Sequence, residues 1–111
     1  MAGGPTEGEV LLERIRAQAA AKEIDFTLHA RQEMAAEAIS PDDVVAAIGR
    51  GQVLKNYPND PRGASCLLSG LTAGLRPLHI VCASRPRRLI IITVYEPKPP
   101  KWPTPSQRRR P

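Results

Sequence analysis

Two histidines, His29 and His79, are the first candidates for proton transfer in this chain of 111 residues. Histidine is the side chain whose ordinary pKa lies nearest neutrality, which suits a general acid or a general base. His29 stands in "DFTLHARQEM", where a strand pattern changes to a helical one, and His79 stands in the apolar stretch "PLHIVCA". Each also has a structural interpretation. A junction histidine can bond the nearby backbone, and a histidine in an apolar strand is commonly a buried, hydrogen-bonded core residue.

The apolar runs "PLHIVCAS" and "RLIIITVY" predict a hairpin that brings further polar side chains to His79. If "RPR" forms a three-residue turn, His79 lies opposite Thr93, and Tyr95 lies one pair further along. A one-residue change in that turn would move these side chains to opposite faces of the sheet.

Three arginines, Arg85, Arg87 and Arg88, lie at the same turn. Guanidinium groups in such a cluster can hold phosphate oxygens in bidentate fashion, although exposed turn arginines often remain solvated. Both interpretations stay open from the residues alone.

The net charge of +5 is unevenly distributed along the chain. Residues 1–43 carry nine acidic and four basic side chains, whereas residues 44–96 carry seven basic and two acidic ones. Residues 97–111 add five basic side chains and no acidic one. The basic second half favours an anionic partner such as a nucleic acid.

The alternation of hydrophobic patterns predicts an α+β domain with a mainly antiparallel sheet and helices packed on one face. The expected elements are a helix over 6–22, a strand over 23–28, a helix from 29, a helix over 40–49, and strands over 52–57, 64–69, 77–84 and 88–95. The last two strands are apolar at nearly every position, which predicts central strands covered on both faces.

The stretch "SPDD" is the strongest local signal, because Ser40 suits an N-cap, Pro41 suits the first helical position, and Asp43 completes a capping box. At the other end of this helix, "GRG" predicts a left-handed conformation at Gly49 or Gly51.

Three segments are expected along the chain. Residues 1–23 form an N-terminal helical extension, residues 24–96 form the α+β domain, and residues 97–111, with six prolines, form an extended or disordered basic tail. No apolar run is long enough to span a membrane and no secretory signal is evident, so we expect a cytoplasmic protein without membrane contact.

Several chemistries are not indicated by the sequence. Cys66 and Cys82 are too few for a disulfide framework or a metal site, and each stands in an apolar run that favours a buried thiol. No glycine-rich phosphate loop, nucleophile elbow or run of stacking aromatics is present. We therefore expect neither a metal nor another cofactor.

The stretches "FTLHARQEMAAEAISPDDVVAAIGRGQVLKNYPNDPRGASCLLSG", "RPLHIVCA" and "IITVYEPKPPKW" together resemble the domain of unknown function 4258 family, which is grouped with the RelE/ParE-type toxins. The resemblance implies a RelE-like fold of N-terminal helices packed on a curved antiparallel sheet of four to five strands. The polar positions that match the family pattern are His29, Arg31, Tyr57, Asp60, His79, Thr93 and Tyr95. The chain departs from it at Ala38 and Ile39, where an arginine commonly precedes the "IS" cap.

Related toxins cut messenger RNA, often on the ribosome, or poison DNA gyrase. They are neutralised by a small antitoxin, here expected to carry an MqsA-like zinc finger. The resemblance therefore implies a metal-independent endoribonuclease with RNA and an antitoxin as partners. Alternatives are a non-catalytic RelE-like domain that binds RNA or a protein, and a ParE-like gyrase inhibitor.

Cleavage of RNA through the 2′-hydroxyl needs an acid, a base and cations for the charge of the phosphorane. The expected catalytic residues are His29 and His79 as acid and base, with Tyr95 as a hydrogen-bond donor. The expected substrate-binding residues are Arg31, Lys55, Tyr57, Asp60, Arg85, Arg88 and Thr93.

Overall fold

The computed structural model of the protein describes Gly4, residues 6–61 and residues 63–98. The described elements are helices α1 (Glu7–Ala20), α2 (Leu28–Glu37) and α3 (Pro41–Gly49), and strands β1 (Ile24–Phe26), β2 (Gln52–Tyr57), β3 (Ser65–Leu71), β4 (Pro77–Ser84) and β5 (Leu89–Tyr95). The strands form one sheet in the order β1-β5-β4-β3-β2, in which β1 and β5 are parallel and the other neighbours are antiparallel. The predicted α+β class is confirmed. Of the predicted basic tail, the part after Lys98 lies outside the described residues.

Helix α1 begins where the sequence predicts, because Thr6 and Glu9 form a reciprocal capping box that satisfies two free backbone amides. Its inner face contributes Ile15 and Ala19 to the same core as the sheet. The guanidinium of Arg16 donates to the backbone carbonyl of Gly51, which ties α1 to the end of α3.

Strand β1 is shorter than predicted and ends at Phe26. The hydroxyl of Thr27 accepts the amide of Ala30 at 3.0 Å, so Thr27 is the N-cap of α2 rather than a strand residue. Leu28, expected on the buried side of the strand, is 71% exposed in the first helical turn.

The junction between α2 and α3 has two well-defined caps. Helix α2 ends at Ala38, whose φ of 54° is left-handed. The predicted cap of α3 is confirmed, with Ser40 and Asp43 bonding each other's backbone amides and Pro41 in the first turn.

The prediction of a left-handed glycine at the end of α3 was wrong, since Gly63 is the glycine with positive φ in the described part of the chain. Gly51 is instead required by close packing, because a Cβ there would lie 2.9 Å from the carbonyl oxygen of Ala47. A Cβ at Gly70 in β3 would collide with the same oxygen. Two glycines therefore allow the backbone of α3 to lie directly on β3.

The hydrophobic core lies between the helices and one face of the sheet. Fully buried side chains such as Leu68, Ile80 and Ile91 point toward the helices. The expectation that β5 is covered on both faces was wrong, because Ile90 and Ile92 on its other face are only partly buried.

The hairpin register differs from the predicted one by two residues, since His79 lies opposite Tyr95 and Val81 lies opposite Thr93. The turn is four residues long, with the amide of Arg85 bonded to the carbonyl of Arg88, and a bulge interrupts the pairing after Val81. Between the turn and the bulge the pairing is shifted by one residue, so Leu89 and Ile91 lie on the face opposite to the predicted one. Beyond the bulge the shift is two residues, which leaves Thr93 and Tyr95 on their predicted face with His79.

The edge between β1 and β5 is fastened by an ion pair that the sequence did not predict. The Arg88 guanidinium donates to both carboxylate oxygens of Asp25, at 3.0 and 2.6 Å, and to the carbonyl of Ile24 at 3.1 Å. This hydrogen bonding holds the pKa of Asp25 below its usual value.

We predict that Ala38→Gly stabilises the protein by about 0.5 to 1 kcal/mol, because glycine adopts the left-handed conformation without a Cβ clash. The matched control is Ala35→Gly, an exposed position inside α2, which should destabilise by about 1 kcal/mol. Urea denaturation of both variants measures the difference. Equal destabilisation by both substitutions would contradict the left-handed cap.

We also predict that Arg88→Gln raises the pKa of Asp25 toward its usual value, because the depressed folded-state pKa depends on this guanidinium. The ion pair stabilises the fold above the unfolded-state pKa of Asp25, and this contribution disappears as the pH falls through the lower folded-state pKa. Carboxyl-carbon NMR titration measures the change. Arg87→Gln is the control, and an unchanged Asp25 titration in Arg88→Gln would rule out this pairing.

Candidate functional site

An open groove of about 610 Å³ lies where the start of α2 meets the sheet. The described residues that line it are Thr27, His29, Tyr57, Asp60, Ser65, Val81, Ile92 and Thr93. The fold thus brings together residues from α2, the β2–β3 hairpin, β4 and β5. Four predicted site residues, His29, Tyr57, Asp60 and Thr93, are among them.

The floor of the groove depends on the bulge in β5. Ile91 and Val94 are both fully buried in the core, although they are three residues apart. Strict alternation would send one of them to the other face, so the bulge turns Ile92 and Thr93 together toward the groove. Thr93 lies opposite Val81, which completes this part of the floor.

The wall formed by α2 is attached to the edge of β5 beyond the end of β1. The amide of Thr27 donates to the carbonyl of Ile91 at 3.0 Å, and the Thr27 hydroxyl donates to the carbonyl of Ile92 at 3.0 Å. Further along the same edge, one amide of β5 and one amide just after β5 donate to carboxylates of α2. Glu33 accepts the amide of Val94 at 3.0 Å, and Glu37 accepts that of Glu96 at 3.1 Å.

His29 is held at the rim of the groove by the same carboxylate. Its side chain is 65% exposed, and its Nε2 lies 3.3 Å from the Oε1 of Glu33 that accepts the Val94 amide. A ring whose Nε2 lies beside a fixed carboxylate presents Nδ1 to a ligand, which is the arrangement of an oriented acid or base.

The opposite wall comes from the end of the β2–β3 hairpin. Asp60 accepts a hydrogen bond from the Ser65 hydroxyl at 2.9 Å, and its backbone carbonyl accepts the amide of Gly63 at 2.8 Å. Tyr57 pairs with Ser65 across the two strands, and the ammonium of Lys55 lies 5.5 Å from the centre of the Tyr57 ring. This wall therefore offers a carboxylate, a hydroxyl and an aromatic face.

The buried His79 and the partly buried Tyr95 form a pair in the next row of the sheet. His79 is 0% exposed, and its Nδ1 lies 3.3 Å from the Tyr95 hydroxyl, with the two rings edge to face at 5.4 Å. Ser69, which lies opposite His79 on β3, is also buried. The pair lies beside the groove rather than in its lining, and the catalytic role expected for these residues stays a prediction.

The predicted cationic residues are dispersed around the groove. Arg88 is paired with Asp25, and the charge of Arg31 also lowers the pKa of Asp25, so both belong to the β1 side. The Arg85 guanidinium packs against Gly63, close in sequence to Asp60. Among the residues that the structure describes, no lysine or arginine lines the groove itself.

Sequence reasoning missed three polar residues of the site, Thr27, Glu33 and Ser65. Glu33 stands four residues after His29 on a predicted helix, and that spacing alone indicates a side-chain pair. Thr27 could have been recognised as an N-cap. Ser65 had no comparable signal, because its contact with Asp60 exists only after the hairpin closes.

No group of three or more histidine, cysteine, aspartate or glutamate side chains is placed to hold a metal ion within the described ranges. In the same part of the chain, no helix has the length and apolar character needed to cross a membrane.

Comparison with protein families gives one informative match. The model of the family Domain of unknown function (DUF4258) matches residues 26–96, a range that runs from β1 through β5 and contains the whole described lining of the groove. Neither the curated proteins nor the solved structures give a significant match. Because the matched range is more than half of the chain, the protein belongs to the DUF4258 family.

Proposed function

We propose that the groove binds single-stranded RNA and cleaves it without a metal ion, as a toxin-type endoribonuclease. The observation that carries this proposal is the placement of His29 and Asp60 in the lining of one groove. Each is held by a further polar group, Glu33 for the imidazole and Ser65 for the carboxylate. Two oriented titratable groups in one groove are what acid–base cleavage of a phosphodiester requires.

In this reaction the 2′-hydroxyl attacks the adjacent phosphorus, the bond to the 5′-oxygen breaks, and a 2′,3′-cyclic phosphate forms. The Asp60 carboxylate takes the 2′-hydroxyl proton, and the imidazolium of His29 gives a proton to the leaving oxygen. Tyr57 offers its ring to a base, since aromatic faces stack on any nucleobase. The hydroxyl of Thr93 is available to phosphate oxygens, whereas the Ser65 hydroxyl donates to Asp60.

This assignment uses Asp60 in place of His79 as the second titratable group, because His79 has no exposed surface. His79 and Tyr95 then support the sheet beside the groove. Lys55 lies over the Tyr57 ring and Arg85 lies against Gly63, both beside the wall that carries Asp60, and they would stabilise the charge of the phosphorane.

Membership of the RelE/ParE-type superfamily is part of the proposal. Its support is the resemblance of the sequence together with an α+β architecture that leaves a groove on the sheet. A small antitoxin, with an MqsA-like zinc finger as the expected form, would neutralise such an enzyme by covering this groove.

One observation favours a second candidate, a non-catalytic domain that binds RNA or a protein. The described lining lacks a lysine or arginine, whereas phosphoryl chemistry depends on preorganised positive charge near the phosphorus. A groove of hydroxyl, carboxylate and aromatic groups suits hydrogen bonding and stacking without cleavage.

We predict that the purified chain cuts single-stranded RNA to products with 2′,3′-cyclic phosphate ends in the presence of a chelator. His29→Ala, Asp60→Asn and Glu33→Ala should each lower the rate by about 10²-fold or more, since a positioned acid or base contributes about 10²- to 10⁴-fold. Gel analysis of end-labelled RNA and mass spectrometry of the product ends measure both effects.

Glu37→Ala is the matched control for Glu33→Ala. Both remove a carboxylate of α2 that accepts a backbone amide, that of Val94 in β5 or that of Glu96 just after it, so each should cost about 1 to 3 kcal/mol of stability. Only the Glu33 variant loses the contact with His29, and only it should lose cleavage. RNA that is bound but remains intact would favour the second candidate. Intact RNA together with trapped gyrase–DNA breaks would favour the ParE-like alternative.

A further inference from the structure

The two cysteines of the chain meet in the core beneath the groove. Cys66 of β3 and Cys82 of β4 lie directly opposite each other, with their Sγ atoms 4.0 Å apart and with both residues 0% exposed. Both thiols are free. We propose that this pair is an oxidation site, at which a small peroxide forms a reversible cross-strand disulfide that alters the groove.

The geometry of β3 and β4 permits a disulfide between Cys66 and Cys82. The amide of Thr72 donates to the carbonyl of Arg76, so the facing pair 72/76 is hydrogen-bonded. Hydrogen-bonded pairs alternate along an antiparallel ladder, and in this register 66/82 is such a pair. Its Cα atoms are then about 5.5 Å apart, within the range of about 4.4 to 6.8 Å that disulfides use.

Closing the bond displaces the strands. The Sγ atoms must approach from 4.0 Å to about 2.05 Å, and the Cβ atoms must reach about 3.5 to 4.5 Å. Facing Cβ atoms in a hydrogen-bonded pair lie farther apart, at about 5.5 Å. The disulfide therefore draws β3 toward β4 and is strained, which makes it easily reduced.

The two thiols have different reactivities. A hydrogen bond with Cys82 lowers the pKa of the Cys66 thiol, whereas that bond and burial raise the pKa of the Cys82 thiol. Cys66 is consequently the thiol that reacts first as a thiolate. Complete burial favours a small neutral oxidant such as hydrogen peroxide over a bulky disulfide, because the sulfur is reached only through small openings of the core.

The reaction balances with peroxide as the oxidant. The Cys66 thiolate attacks one peroxide oxygen, an S–O bond forms, the O–O bond breaks, and the leaving hydroxide takes a proton to become water. The sulfur of Cys82 then attacks the sulfenic sulfur of Cys66, the S–S bond forms, and the S–O oxygen leaves with the Cys82 proton as a second water. Two thiols lose two electrons in total, and one peroxide becomes two waters.

The groove is coupled to this site through the backbone. Ser65 precedes Cys66, Val81 precedes Cys82, and both line the groove on the opposite face of the sheet. Ser65 also holds Asp60. A movement of β3 relative to β4 at the cysteines therefore changes the spacing of the groove floor and of the Asp60 wall. This inference does not depend on RNA cleavage.

The test is peroxide treatment of the full chain, followed by alkylation under denaturing conditions and by amide NMR spectra. We expect wild-type protein to lose two hydrogens in mass and both alkylatable thiols, to remain monomeric on a non-reducing gel, and to recover fully with dithiothreitol. The amide signals of Ser65 and Val81 should shift more than that of Glu13, which lies on the exposed face of α1.

Cys66→Ala and Cys82→Ala are the matched variants, and neither should lose two hydrogens or show the reversible shift at the groove. The proposal is overturned if wild-type protein keeps both thiols or gains only sulfinic acid. It is also overturned if the single variants respond as wild type does, or if the disulfide forms while Ser65 and Val81 shift no more than Glu13. If a variant fails to fold, the loss of both thiols and the amide shifts of Ser65 and Val81 in the wild-type protein still test the proposal.

Discussion

The architecture depends on how the backbone amides and carbonyls at the edge of β5, beyond the end of β1, find hydrogen-bond partners. Strand β1 pairs with β5 only as far as Ile91, and the chain then leaves the sheet to form α2. An exposed strand edge presents unpaired amides and carbonyls, which invite association with other chains. Here the side chains of Thr27 and Glu33 bond edge groups of β5 that β1 does not reach, and Glu37 bonds the amide of Glu96 just after the strand.

The hydrogen bonds between α2 and this edge determine where the candidate site lies. Because Glu33 is fixed by the Val94 amide, the imidazole of His29, one helical turn earlier, is held at the mouth of the groove. The β5 bulge supplies the floor, and the β2–β3 hairpin supplies the facing wall with Tyr57 and Asp60. On the other face, Gly51 and Gly70 let α3 lie against β3, which places α3 on the face of the sheet opposite the groove. The same carboxylate thus serves both the fold and the proposed chemistry.

The parts of the fold that were predictable from sequence are those fixed by local chemistry. The Ser40 cap and the α+β order follow from neighbouring residues and from hydrophobic periodicity, and His79 proved to be buried, as the strand pattern favoured. The hairpin register was missed because the extra turn residue and the bulge depend on packing across β4 and β5. The left-handed glycine predicted at the end of α3 is absent, because α3 ends at Arg50 with a φ of −108°, whereas Ala38 at the end of α2 is left-handed without a glycine signal in the sequence. Of the site, the sequence indicated His29, Tyr57, Asp60 and Thr93, whereas the pairing of Asp60 with Ser65 required the closed hairpin.

The central claim is that the groove between α2 and the β2–β3 hairpin is where the protein acts on its ligand. The most direct test is an amide NMR titration of the full chain with a short single-stranded RNA that carries 2′-O-methyl groups and cannot be cleaved through the 2′-oxygen. We expect the largest saturable shifts at His29, Asp60 and Thr93, with α1 unaffected. Shifts confined to residues outside the groove, or no saturable shift at all, would contradict the claim.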